Sequence, residues 1–126
     1  MEIIRRHTEL KVYQLSFEAG MEIFKITKEF PSEERYSLTD QMRRSSRSVS
    51  ANLAEAWRKR FYPKNFVSKL SDSDAEAAET QVWLQYAEAC GYIDNQTRNN
   101  LNDKYEHLMA MLIKMMDNPN QWTIKK

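Results

Sequence analysis

The sequence predicts an all-α protein, a single domain over residues 1–126 folded as an antiparallel up-down four-helix bundle. The chain contains only two glycines and three prolines, fewer turn-forming residues than an all-β fold needs. Apolar residues recur at spacings of three and four along most of its length, which is typical of amphipathic helices. Proline, glycine and helix-capping residues divide the chain into four segments, and their short connections favour antiparallel neighbours.

The first helix is predicted over residues 8–28, and it ends before Pro31, which disfavours helical geometry at Phe30. It carries two apolar stripes on roughly opposite faces. One stripe contains Leu10, Tyr13, Phe17, Met21 (or Gly20) and Phe24, and the other contains Val12, Leu15, Ala19, Ile23 and Ile26. An outer helix of a monomeric bundle needs only one such stripe, so the second indicates contact with another copy of the chain.

The second helix is predicted over residues 37–60, with Ser37 or Thr39 as the residue that caps its first amides. Its core face is formed by Leu38, Met42, Ser46, Val49, Leu53, Ala56 and Trp57. Serine and alanine dominate residues 45–54, and such small side chains let neighbouring backbones approach closely. Asn52 lies between the core face and the opposite face, where its amide is expected to fix helix register through hydrogen bonds.

The third helix is predicted over residues 63–90, since Pro63 suits a first helical turn and Gly91 suits a helix end. The fourth is predicted over residues 95–117, capped by Asp94 or Asn95 and followed by Pro119. Narrow apolar seams follow both helices: Phe66, Leu70, Ala77, Leu84 and Ala87 on the third, and Leu101, Tyr105, Leu108, Leu112 and Met115 on the fourth.

Both of these helices keep further apolar residues outside their seams. They are Val82, Trp83 and Tyr86 on the third helix and Met109, Met111, Ile113 and Met116 on the fourth. Surplus apolar surface on several helices of a small bundle predicts a homo-oligomer, because oligomers bury such surface. The alternative is irregular packing within one chain, which adaptable methionine side chains would permit.

The second helix also carries a cationic stripe, formed by Arg43, Arg44, Arg47 and Arg58 on the side away from the core face. These guanidinium groups would bind nucleic-acid phosphates with little dependence on base sequence. Alternatively, they pair with carboxylates within one subunit or between subunits. The third helix offers such carboxylates in a cluster at Asp72, Asp74, Glu76 and Glu79.

The C-terminal end of the second helix is the stronger candidate for binding RNA or DNA. Arg58, Lys59 and Arg60 stand there beside Phe61 and Tyr62. Cations next to exposed aromatic rings combine phosphate contact with base stacking. Basic residues are also common at helix C-termini because they offset the helix dipole, so the pattern has an ordinary structural explanation as well.

The composition argues against several other classes of function. The net charge of +1 gives no overall attraction to polyanions, so a nucleic-acid surface must be local. No apolar run is long enough to span a membrane, no signal peptide is evident, and the single cysteine, Cys90, suits a reducing cytoplasm. The histidines His7 and His107 lack the Glu-x-x-His spacing of di-iron bundles, and no zinc ligand set or glycine-rich phosphate loop is present. We therefore expect no metal, no cofactor, no membrane partner and no enzymatic activity.

Residues 41–60, QMRRSSRSVSANLAEAWRKR, resemble the Gln-x-Arg-Arg-Ala…Ser-Ile-x-x-Asn-Ile-Ala-Glu-Gly motif of a bacterial protein family. That family comprises four-helix bundle proteins encoded in intervening sequences of 23S ribosomal RNA genes. Further similarity lies in residues 10–13, 30–38, 79–81 and 91–93. The resemblance covers about residues 8–115, which is nearly the whole chain.

The resemblance implies a bundle that assembles as a homopentamer and has a poorly established function related to RNA. The related accessory proteins of diversity-generating retroelements form a basic pentameric barrel that binds nucleic acid and a reverse transcriptase. By position, Arg43, Arg44, Asn52 and Glu55 match the family motif, with Asn52 and Glu55 as its structural residues. Ala56 replaces the family's usual glycine, so the second helix should continue through Trp57. Around Asp72 and Ser73, acid replaces the family's small Gly-Ser pair, which argues against a strongly basic barrel.

The leading expectation is a non-enzymatic, oligomeric helical bundle that acts as a nucleic-acid or ribonucleoprotein-associated adaptor. It would use the cations of the second helix: Arg43, Arg44, Arg47, Arg58, Lys59 and Arg60. The alternative is a protein–protein scaffold in which these arginines form salt bridges and bind no nucleic acid.

Overall fold

The computed structural model describes residues 3–125 of the chain. They form four α-helices: α1 (Lys11–Thr27), α2 (Leu38–Arg58), α3 (Pro63–Ala89) and α4 (Asn95–Asp117). Short 3-10 helices lie at His7–Glu9, Ser32–Glu34 and Pro119–Gln121, and no β-strand occurs in this part of the chain. The predicted all-α class and its four helices are confirmed. Within residues 3–125, no helix contains an apolar stretch of the length that a membrane span requires.

The core lies between the four helices, and α2 contacts both α1 and α3 while α4 contacts both α3 and α1. Every residue predicted for the core face of α2 and for the seams of α3 and α4 is buried. On α1 the core residues are Val12, Ala19 and Ile23. These three belong to the predicted stripe that begins at Val12. The other predicted stripe has its first residue, Leu10, buried, but Phe17 is 55% and Met21 41% exposed. Helical periodicity therefore locates the core, and an apolar stripe remains outside it.

Three of the predicted helix ends are confirmed in detail. Pro63 occupies the first turn of α3, where its missing amide hydrogen leaves no bond unmade. Gly91 follows α3 with φ of 79°, a backbone conformation that side-chain-bearing residues rarely adopt. Asp94 caps α4 by accepting a 2.7 Å hydrogen bond from the Thr97 amide.

Two predicted helix starts are wrong in their details. Thr8 belongs to a separate 3-10 turn, because Leu10 has an extended backbone and places a buried side chain between that turn and α1. Ser37 precedes α2 but does not cap it, and neither does the side chain of Thr39. The Ser37 hydroxyl instead donates to Glu34 Oε1, and that oxygen accepts the Leu38 amide at 3.3 Å. The start of α2 is thus capped by a carboxylate from the preceding turn.

Hydroxyl groups at the helix interfaces join α2 to both of its neighbours. Ser50 is hydrogen-bonded to Ser16 of α1 at 2.9 Å. On the other side, Ser73 of α3 donates to the Val49 carbonyl, and Thr80 of α3 donates to Ser45, both at 2.8 Å. The predicted tight packing of this small-residue segment is therefore present.

Asn52 does not fix the register between helices as we expected. Its side-chain amide donates to the Ser48 carbonyl one turn earlier in α2, at 2.9 Å. Because both groups belong to the same helix, this bond links no two elements. The hydroxyl bonds from α2 to α1 and α3 provide that specificity instead.

Both ends of the described chain are attached to the C-terminal end of α2. The Trp57 indole nitrogen donates to the Arg5 carbonyl at 3.0 Å. The Ile124 amide donates to the Arg60 carbonyl at 2.9 Å, and Trp122 packs edge-on against Trp57. The segments before α1 and after α4 therefore meet at one end of the molecule.

Candidate nucleic-acid interface

The arginines of the cationic stripe predicted on α2 have different neighbours, because successive residues of a helix point in directions about 100° apart. Arg43 turns toward α1. Its Nε donates to the Thr27 hydroxyl at 2.9 Å, and its guanidinium lies 4.8 Å from the centre of the Phe24 ring. Thr27 is itself held in place by donating to backbone carbonyls of α1. Arg43 is thus fixed against α1 while its positive charge has no carboxylate partner among the described residues.

Arg44 turns the other way, toward α3. Its guanidinium forms ion pairs with Glu76, at 3.2 Å, and with Glu79. Its Nε also donates to Gln41 at 3.1 Å. For Arg44, the alternative prediction therefore holds, in which carboxylates of the third helix neutralise cations of the second.

The other two acids of the α3 cluster have different surroundings. Asp72 lies 4.0 Å from the amine of Lys69, which also pairs with Glu55 at 3.4 Å. Asp74 has a buried carboxylate oxygen without a hydrogen-bond partner in residues 3–125, and burial raises the pKa of Asp74. Of the two motif residues on α2, Glu55 therefore contacts α3, whereas Asn52 bonds within its own helix.

Arg47 is exposed and forms no ion pair or hydrogen bond within the described chain. It borders a shallow apolar groove of about 320 Å³ between α1 and α2, which we call the α1–α2 groove. The α1 side of this groove is the surface stripe: Tyr13, Phe17, Gly20, Met21 and Phe24. Its α2 side is formed mainly by Ser46, Ser50, Ala51 and Ala54.

The C-terminal end of α2 combines cations with aromatic rings. Arg60 stacks on Trp57 with its guanidinium carbon 3.6 Å from the ring centre, and its Nε donates to the Trp57 carbonyl. Burial, and next the charge of Arg58, lower the pKa of Arg60. Arg58 and Lys59 are exposed, and neither has an acidic partner in residues 3–125. The adjacent Phe61 and Tyr62 side chains are about half exposed, as the sequence predicted.

Two cations near Arg43 were not predicted as site residues. Lys28 and Arg35 come from the end of α1 and from the α1–α2 connection, and they line a small pocket together with Arg43. Neither belongs to a basic run, so no local signal marks them. Only the packing of α1 against α2 brings them together. Elsewhere in the described chain, no group of three His, Cys, Asp or Glu side chains is placed to hold a metal ion.

These features define the class: a small all-α bundle with a basic and aromatic end on α2 and an apolar stripe on the surface of α1. The chain belongs to the family of 23S rRNA-intervening sequence proteins, which its residues 8–114 match. The resemblance identified from residues 41–60 is thereby confirmed.

A solved structure has a similar fold. It is the crystal structure, at 1.70 Å resolution, of a protein with unknown function from the S23 ribosomal protein family of Bacteroides thetaiotaomicron. The two chains are 26% identical with a TM-score of 0.76, and the match covers 84% of this chain and 95% of that one. No curated protein matches the chain.

Proposed function

We propose that this protein is a non-enzymatic, homo-oligomeric bundle that binds nucleic acid, as an adaptor associated with RNA, DNA or a ribonucleoprotein. Membership of the 23S rRNA-intervening sequence family supports a role connected with RNA. The reducing cytoplasm is the proposed compartment, since Cys90 is exposed and unpaired.

The basic end of α2 carries this proposal. Arg58 and Lys59 project from the surface without neutralising carboxylates in the described chain. Arg60 is stacked on Trp57 and has no acidic partner in residues 3–125, and the next residue, Phe61, is 45% exposed. Unneutralised cations next to an accessible ring suit the phosphate and base contacts of single-stranded nucleic acid. Arg44 contributes less, because its charge is already paired with Glu76 and Glu79.

Titration with single-stranded RNA and with duplex DNA at two salt concentrations tests this interface. The Arg58→Ala/Lys59→Ala variant should bind more weakly, and the slope of log affinity against log salt should decrease by about 2, about 1 for each phosphate that the variant no longer binds. The matched control is Lys25→Ala/Lys114→Ala, which removes two exposed lysines from α1 and α4. No binding by the wild type at low salt, or equal losses in both variants, would contradict the proposal.

The same proposal includes assembly through the α1–α2 groove. The exposed Phe17 and Met21 lie against a floor of serine and alanine on α2, a surface into which side chains of a second copy would pack. Among assemblies, we propose the homopentamer that the family resemblance implies. Arg47 borders this groove, so subunit contact would remove it from the nucleic-acid surface.

Light scattering after size exclusion tests the assembly. Phe17→Ser/Met21→Ser should convert the oligomer to smaller species, because it removes apolar area that only a second copy would bury. Tyr36→Ser is the control, since Tyr36 is 87% exposed and lies outside the groove. A monomeric wild type would refute the oligomer, and a double variant with unchanged mass would place the interface elsewhere.

We further infer that neighbouring helices run antiparallel. Contacts between α1 and α2 support this arrangement: Ser16 meets Ser50, whereas Thr27, later in α1, meets Arg43, earlier in α2. Contacts between α2 and α3 follow the same order, because Ser45 meets Thr80 whereas Glu55 meets Lys69.

A protein–protein scaffold is the second candidate function. The ion pairs of Arg44 with α3 favour it, because they show that part of the cationic stripe serves packing within one chain. In that case the wild type and Arg58→Ala/Lys59→Ala would both show only background binding to nucleic acid, and the variant would weaken binding to a protein partner instead.

A further inference from the structure

A second concentration of positive charge lies at the corner where α1 leads into α2, far along α2 from Arg58. A pocket of about 330 Å³ opens there, which we call the corner pocket. Three cations and three hydroxyl side chains line it: Lys28, Arg35, Arg43, Thr27, Ser32 and Thr39. No carboxylate contributes to its lining.

The three cations of the corner pocket are not neutralised by the protein. Within residues 3–125, Lys28, Arg35 and Arg43 form no ion pair. Arg35 lies over the exposed ring of Tyr36, and Lys28 lies over the ring of Phe24. Such contacts with rings leave the positive charge in place. This differs from Arg44, only one residue from Arg43, whose charge is cancelled by two glutamates of α3.

Two of the cations are held close to each other. The Lys28 amine and the Arg43 guanidinium lie 4.7 Å and 4.8 Å from the centre of the same Phe24 ring. They are therefore within about 10 Å of each other, which is about the Debye length at 0.1 M salt, so their repulsion is only partly screened. An anion bound by both groups would offset this repulsion.

The Arg43 side chain is also positioned in advance. Its Nε donates to the Thr27 hydroxyl, and the Thr27 side chain is buried and held by two backbone carbonyls. Its terminal nitrogens have no acceptor in the described chain, so the two-pronged end that matches an oxyanion is unused. Thr39 stands in the first turn of α2, the positive end of that helix, and supplies a further donor.

We propose that the corner pocket binds a phosphate group. A phosphate oxyanion would be shared by the guanidinium of Arg43, the guanidinium of Arg35 and the amine of Lys28, with hydroxyls as secondary donors. The phosphate has two conceivable sources, a free phosphorylated compound or the backbone of a nucleic acid. The first source does not depend on the proposed nucleic-acid function, and the second would extend that function to a new part of α2.

Calorimetric titration with inorganic pyrophosphate at low salt tests the site, with single-stranded RNA as the second arm. Lys28→Ala/Arg35→Ala should weaken pyrophosphate binding by about tenfold or more, because it removes two charge-assisted contacts. Arg58→Ala/Lys59→Ala is the matched control, as it removes the same charge from the other end of α2 and should leave pyrophosphate binding intact. Both side chains changed at the corner are exposed, and thermal melts verify that the variants remain folded.

The two arms separate the sources. Loss of pyrophosphate binding alone in the corner variant identifies a site for free phosphorylated compounds. Weaker RNA binding in the corner variant than in Lys25→Ala/Lys114→Ala, which removes two exposed lysines away from the pocket, identifies a backbone phosphate site. If the wild type binds neither probe, or if the corner variant loses no more binding of either probe than Lys25→Ala/Lys114→Ala, the phosphate site is refuted. Arg43→Lys keeps the charge but loses the two-pronged donor, and at a true site it should bind more weakly than the wild type.

Discussion

At the scale of single residues, Tyr105 stands out in the core. It is fully buried on α4, and its hydroxyl has no hydrogen-bond partner within the described chain. Burial, and next the negative charge of Glu22, raise the pKa of Tyr105, so the group stays neutral at all ordinary pH values. A buried hydroxyl without a partner loses its hydrogen bonds to water and gains none in return.

Tyr105→Phe should therefore stabilise the protein. Removing the unpaired hydroxyl keeps the ring in place and avoids the cost of burying a polar group, so the free energy of unfolding should rise by about 1 kcal/mol. Urea denaturation measures the change. Tyr86→Phe serves as the control, because Tyr86 is 57% exposed and its hydroxyl remains accessible to water. A clear loss of stability in Tyr105→Phe would mean that the hydroxyl has a partner in solution.

The burial of single residues was largely predictable, whereas the partners of polar residues were not. Leu101, Leu108 and Leu112 are buried because apolar side chains spaced by three or four residues form one stripe along the helix, and that stripe faces the core. The interaction partners of Arg43 and Arg44 depend instead on which helix lies on each side of α2. No pattern within α2 itself contains that information, so the sequence left the choice between carboxylates and phosphates open.

At the scale of the elements, one hydrogen-bond cluster joins the two connections at the same end of the bundle. The Tyr92 hydroxyl, just after α3, donates to Glu34 Oε2 at 2.8 Å, while the Ser37 hydroxyl donates to Glu34 Oε1 at 2.6 Å. The Phe30 and Tyr92 rings also pack together. The bonds from Ser37 and Tyr92 lower the pKa of Glu34, and the bond to Glu34 raises the pKa of Tyr92 to about 12.

The pH dependence of stability follows from the directions of these two shifts. The pKa of Glu34 is lowered on folding, so its contribution is present above its ordinary pKa of 4.5 and is lost as the pH falls below that value. The pKa of Tyr92 is raised, so its contribution is present below the ordinary value of 10.0 and is lost as the pH rises toward about 12. The cluster therefore stabilises the fold fully between these limits.

Glu34→Gln should reduce the dependence of unfolding free energy on pH below 4.5, because the titrating group is gone while an acceptor oxygen remains. Denaturation curves recorded from acid to neutral pH measure this. Glu33→Gln is the matched control, since Glu33 is the preceding residue and forms no hydrogen bond within residues 3–125. Equal acid sensitivity in wild type and Glu34→Gln would show that the cluster does not form in solution.

The ends of the helices were predictable where the signal is local. Pro63, Gly91 and Asp94 act through their own backbone or through a bond three residues away, so the sequence places them correctly. The start of α2 is different. Its cap is Glu34, which reaches the Leu38 amide because residues 34–37 form a turn in which the Ser37 amide donates to the Glu34 carbonyl. Glutamate at that position is not a usual capping signal, so serine was preferred.

At the scale of the whole molecule, the surplus apolar stripe on α1 was visible in the sequence as a second row of large side chains. The structure leaves Phe17 and Met21 at the surface beside the small residues of α2. The row itself was predictable because helical spacing gives each face a separate sequence signature. The small residues of α2 that lie beside this row could not be predicted as its neighbours, because the α1–α2 groove exists only when the two helices pack side by side.

The attachment of both chain ends to the C-terminal end of α2 has a practical consequence for protein engineering. Arg5 is hydrogen-bonded to the Trp57 side chain in the last turn of α2, and Ile124 to the Arg60 backbone just after it, so a flexible linker should join residue 3 to residue 125. A circular permutant that begins at Tyr92 and ends at Gly91 should then fold with unchanged helical content by circular dichroism. If the permutant with a short linker fails to fold and a longer linker restores folding, the two ends lie apart in solution.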